Sequence, residues 1–133
     1  MTEQGPMKIG IRLIQVAAVY MAIGLIMGLV MGITKNFSLM SVHAHISLLG
    51  WATMAITGIV YVVIPGCARS RLAKLHFWGH NVGLPVMMVS LALEAHGIAA
   101  AEKGIAVGSS VVLASLLLFA FNLLRNAQLE SAR

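Results

Sequence analysis

The sequence predicts an all-α fold, an integral membrane four-helix bundle, and three observations carry that expectation. Of the 133 residues 59% are apolar and only 10% charged, against roughly a quarter charged in soluble domains. The apolar residues gather in four segments, at about residues 11–33, 41–64, 75–97 and 105–124. Each is close to the ~20 residues a helix needs to cross the hydrocarbon of a bilayer. Short polar, glycine- or proline-containing breaks separate them, so residues 1–133 read as one transmembrane domain.

The first segment is too long, and too weakly followed by a small-residue cleavage site, for a removed signal peptide. It carries Gly24, Gly28 and Gly32 at four-residue spacing, the small-residue pattern that lets helices approach closely in lipid. A notch for a flat cofactor is the alternative use of that stripe. The second segment ends at Pro65-Gly66. Pro85 sits inside the third and removes one backbone hydrogen bond there. The fourth holds Ser109, Ser110 and Ser115 but no ionisable residue before Arg125, and reads as structural.

Positive charge sorts the loops. Lys8 and Arg12 lie at the start of the first helix, Arg69, Arg71 and Lys74 lie between the second and third, and Arg125 and Arg133 follow the fourth. The positive-inside rule then places both termini in the cytoplasm, in a multi-pass protein of a bacterial-type inner (cytoplasmic) membrane. The loops around Lys35 and around Glu102 and Lys103 face outward. The net charge of +5 follows from this topology, and the nucleic-acid class is set aside because it wants its cations gathered on one soluble surface. Cys67 is the single cysteine, so no intrachain disulfide forms, and a reduced structural thiol is expected.

The histidines are the chemical signal, because an ionisable side chain inside a membrane segment needs a partner or a function. Imidazole is also a common ligand for haem iron, copper and zinc. His45 lies twenty residues before Pro65, and His96 twenty-one after Leu75. At ~1.5 Å per residue both stand roughly 30 Å from the shared loop, near the outer face, where they can share a site. His76 and His80 belong to the opposite end, giving two histidine levels. His43 and His45 point roughly 200° apart and serve different sites.

His43 aligns with Ser47, Gly50, Met54, Thr57 and Tyr61, a stripe expected to face the interior. His45 aligns with Leu49, Ala52, Ile56 and Val63, a face for lipid, a second subunit or a porphyrin. On the third helix His76, His80, Gly83, Met87, Ser90 and Glu94 form another inward stripe, which brings Glu94 towards His43 as a proton or metal site. His76 and His80, one helical turn apart, can chelate one ion. Their alternative is an interfacial His76 beside Phe77 and Trp78 and a His80 bonded to Asn81 or a backbone carbonyl.

The run His43-Ala44-His45-Ile46-Ser47-Leu48-Leu49, continuing to Pro65, and the run Leu75-His76-Phe77-Trp78-Gly79-His80-Asn81-Val82-Gly83-Leu84-Pro85 resemble the subunit I family of haem-copper oxidases and nitric oxide reductases. The closer resemblance is to short membrane proteins labelled cytochrome oxidase subunit I-like. It covers the second and third helices. In that family a histidine of the second helix, in a His-x-Asn/Ser-Leu-Leu-like setting, binds the low-spin haem near the outer face. The matching position here is His45. The family's three-histidine copper site and cross-linked Tyr–His pair have no counterpart, so the resemblance implies haem ligation rather than complete oxygen reduction.

The first expectation is therefore a haem b membrane protein for electron transfer or haem-based sensing. His45 is one axial ligand, His96 of the same or another subunit the second, and His43 a neighbour or a further cofactor ligand in a homo-oligomer. A second is a copper or zinc protein, such as an oxidase assembly factor, using His43, Glu94, His76 and His80. A third is an accessory subunit of a respiratory complex. Beyond the lipid bilayer, a respiratory redox partner or a quinone is the partner class these readings admit.

Overall fold

The computed structural model describes residues 4–127; Arg133, one of the topology-setting cations, lies outside them. The described residues are helical with short connections and contain no strand. The long elements are α1 (Gln4–Thr34), α2 (Met40–Val63), α3 (Arg71–Ala95) and α4 (Glu102–Asn126). Three helical stretches, Met7–Thr34, Met40–Val63 and Ala99–Asn126, are long and apolar enough to cross a membrane. The helix α3 is 25 residues long but falls outside that set, for its sequence carries Arg71, Lys74, His76, His80, Asn81 and Glu94.

The helices pack mainly as two antiparallel pairs, α1 on α2 and α3 on α4. Small residues set the approach in both. An added Cβ at Gly10 would come 2.6 Å from the Gly58 carbonyl oxygen, and one at Gly108 2.5 Å from the Met87 backbone nitrogen. Outward surfaces are apolar: Leu25, Ile26, Leu29 and Ile33 on α1 and Val107, Leu113, Leu117 and Leu124 on α4 are all exposed. In water such a surface would be a liability; against lipid tails it is the ordinary exterior of a membrane helix.

The middle of α2 departs from α-helical winding. Residues Ile46–Thr53 form a π-helical stretch, a widening that in proteins concentrates at functional places. The Thr53 hydroxyl donates to the Leu48 carbonyl five residues back, at 2.8 Å. Gly50 is buried there under the Tyr20 ring, whose Cγ lies 2.6 Å from where a Cβ would be.

The connections are closed by local bonds. Between α1 and α2, the Thr34 hydroxyl accepts from the Asn36 N–H and the Asn36 side chain from the Ser38 N–H. A one-turn helix, Pro65–Ala68, precedes Ser70, whose hydroxyl accepts from the Leu72 N–H at 3.1 Å and caps α3. At its other end α3 stops in a Schellman pattern, Gly97 N–H to Glu94 carbonyl and Ile98 N–H to Leu93 carbonyl, with Gly97 at φ +83. His96 is thus the C-cap of α3 rather than part of its last turn.

Candidate functional site

The two inward stripes of the sequence are real in three dimensions. Met54, Thr57 and Tyr61 are buried along α2, as are His76, His80, Met87 and Ser90 along α3. Glu94 is the exception. It lies in the last turn of α3 and is exposed, so the expected interior His43–Glu94 meeting is not formed.

His76 and His80 are completely buried, which corrects the expectation of an interfacial His76. They belong to a chain of hydrogen bonds that ties the two helix pairs together. The Tyr61 hydroxyl lies 3.1 Å from His76 Nδ1, His76 Nε2 lies 3.4 Å from His80 Nδ1, and His80 Nε2 lies 3.0 Å from the Leu49 carbonyl oxygen. Uncharged rings allow one assignment only. The carbonyl accepts, so His80 Nε2–H donates and His80 Nδ1 accepts; His76 Nε2–H then donates, and His76 Nδ1 accepts from Tyr61. Phe119 of α4 packs edge-on to Tyr61 and tilted against His76, with centroids 5.5 Å and 5.2 Å away.

Every ring nitrogen of that pair is spent on a partner, and the acceptor carbonyl lies within the π-helical stretch. The backbone-carbonyl bond expected as the alternative for His80 is therefore formed, while Asn81 turns to the Phe77 carbonyl instead. Among the described residues no three His, Cys, Asp or Glu side chains gather to hold a metal.

Below this chain, α4 is fastened to the turn after α2. Asn122, fully buried, donates to the Cys67 carbonyl at 2.9 Å and accepts from Asn126 at 2.8 Å. Cys67 is free and buried, and burial pushes its thiol pKa up, the behaviour of a structural rather than a reactive cysteine. Asn122 was not singled out in the sequence, yet an amide in an apolar helix four residues from a second amide was the available signal.

His45 and His96 present a different chemistry. His45 Nδ1 lies 2.8 Å from the Ser41 carbonyl oxygen, and His96 Nδ1 lies 2.7 Å from that of Ala92. A carbonyl can only accept, so each ring donates Nδ1–H to the carbonyl four residues earlier and keeps its lone pair on Nε2. Metal-bound histidines are held in this way, the second nitrogen's bond fixing tautomer and ring orientation. His45 is half-buried and His96 exposed. Both belong to one end of the molecule, where the Met40–His45 turn packs against α3.

His43 faces α1. Its Cε1 lies 3.1 Å from where a Gly28 Cβ would stand, and the Ser47 hydroxyl lies 3.1 Å from the corresponding Gly24 position, whereas Gly32 has nothing within 4 Å. Two glycines of the stripe thus serve the close packing of these polar side chains. Beside them lies a pocket of about 330 Å³, lined by Met21, Gly24, Leu25, His43, Ser47 and Trp51. His43 Nδ1 is buried without a hydrogen-bond partner.

No protein family, curated protein or solved structure matches this chain.

Proposed function

We propose that this chain is a haem b protein of a bacterial-type cytoplasmic membrane, crossing it four times with both termini inside, and acting in electron transfer or haem-based sensing. The observation that carries the reading is the matched state of His45 and His96, each with Nδ1–H tied to a carbonyl and Nε2 left as a ligand. That donor set fits an iron porphyrin. When bound, haem would supply a one-electron centre, and two imidazole ligands, from His45 and His96, would favour electron transfer over binding of a gas. The chain's own part is to fix both rings by backbone bonds. Because His96 is exposed, the second ligand can come from a neighbouring copy, which makes a homo-oligomer part of the proposal.

The topology has its own support. Lys8, Arg12, Arg71, Lys74 and Arg125 belong to one end, Lys35, Glu102 and Lys103 to the other, in keeping with the positive-inside bias. As the fourth crossing, α3 keeps its histidines buried and hydrogen-bonded, the condition under which such groups are tolerated in a membrane. Replacing His45 or His96 by alanine is expected to cut the haem retained by the purified protein at least tenfold, measured as a pyridine haemochrome. Full retention in both variants would contradict the assignment.

One observation favours a second reading, an accessory subunit of a respiratory complex: the Tyr61–His76–His80 chain satisfies itself and needs no cofactor. That reading predicts a colourless protein that co-purifies with larger subunits.

A further inference from the structure

The pocket between α1 and α2 is not used by the haem reading, since His43 and His45 lie on different faces of α2. Its polarity runs in one direction. His43 is in the first turn of α2, with Ser47 one turn further in. At the far end are Trp51 and, from α1, Met21, while Leu25, next to the Gly24 that faces Ser47, lines the exposed side. Eight residues separate His43 from Trp51, so the pocket runs roughly 12 Å along the helix.

Hydrogen-bonding groups at helix-end depth, leading into an apolar groove open along its Leu25 and Trp51 side, are the profile of one acyl chain and its carbonyl. The His43 ring makes no bond within the described chain; its Nδ1 is enclosed by protein, so Nε2 is the ring nitrogen that can donate into the pocket. No charged side chain lines the pocket, so a free carboxylate would go uncompensated there, whereas a neutral ester carbonyl needs only a donor. Lys35, exposed in the connection at the same end, stands where a lipid phosphate would emerge.

We propose that this pocket holds one glycerophospholipid, its ester carbonyl accepting from His43 Nε2–H and the Ser47 hydroxyl, and its acyl chain lying along Leu25, Met21 and Trp51. The site is independent of haem binding. It makes a bound lipid part of the α1–α2 interface rather than of the exchanging annulus.

Native mass spectrometry of the detergent-purified full chain, with extraction and identification of retained lipid, tests this. One phospholipid per chain is expected, its occupancy falling about fivefold in His43→Ala, the worth of one hydrogen bond. It should also be lost in Leu25→Trp, which fills the groove from the exposed side without entering the core. Trp51 gives a second reading in vesicles of a Trp78→Phe variant, which keeps a single tryptophan. Its quenching by phosphatidylcholine brominated on the acyl chain should saturate at low mole fraction, and do so no longer when Leu25→Phe, which adds no tryptophan, is placed in the same background. Absence of retained lipid, a free fatty acid in its place, equal retention in both variants, or quenching merely proportional to brominated lipid would overturn the proposal.

Discussion

Single residues here differ in whether their hydrogen bonds close within the chain. Tyr61, His76 and His80 close theirs, and in an apolar interior that is the difference between a stabilising and a costly polar group. Replacing His76 by leucine strands the Tyr61 hydroxyl and His80 Nδ1 at once. It is expected to cost about 1–3 kcal/mol, seen as a lower unfolding midpoint in detergent. Tyr61→Phe removes only one donor and should cost less. In a double-mutant cycle the two changes should couple by about 0.5–3 kcal/mol; strict additivity would mean that the chain is not a unit. Periodicity exposed these residues in the sequence, since both stripes, Glu94 excepted, pointed inward as expected. What it could not show was whether a buried histidine is spent. That depends on Leu49, 31 positions away in the chain, whose carbonyl lies in a π-helical stretch with no marker in the sequence.

Among the elements, α2 organises the molecule. Its two α-helical ends were legible from hydropathy, while the widened turn between them was not, because a π-helical stretch is selected by packing rather than by residue type. Gly50 shows this: it is buried beneath Tyr20, outside the Gly24, Gly28 and Gly32 stripe on which the sequence drew attention. Gly50→Ala would drive a methyl into the Tyr20 ring, and is expected to lower stability by about 1–3 kcal/mol. Gly32→Ala meets open space and should be neutral or slightly stabilising through its helix propensity. Parallel thermal unfolding of the two variants checks the contrast. Helix ends were read less well than helix centres. The third helix begins earlier than expected, at the Ser70 cap, and stops at the Gly97 turn; this leaves Glu94 on the surface and His96 beyond the last turn.

At the scale of the whole molecule, the chain is two helix pairs bridged by polar bonds and wrapped in apolar surface. Composition alone announced the membrane character, for 59% apolar residues in 133 cannot be hidden inside so small a body. The division into pairs was not announced. It follows from glycine contacts whose partners lie far apart in sequence, Gly10 with Gly58 and Gly108 with Met87. The pairing leaves the His45 and His96 end open to lipid or to a second copy, and these are the two imidazoles proposed to hold haem. The most direct measurement is the absorption spectrum of the purified protein, oxidised and dithionite-reduced, with iron, copper and zinc assayed in the same sample. Sharp reduced b-type bands are expected, with iron stoichiometric with chain or oligomer. A protein that stays spectrally silent after reconstitution with haem would contradict the haem assignment.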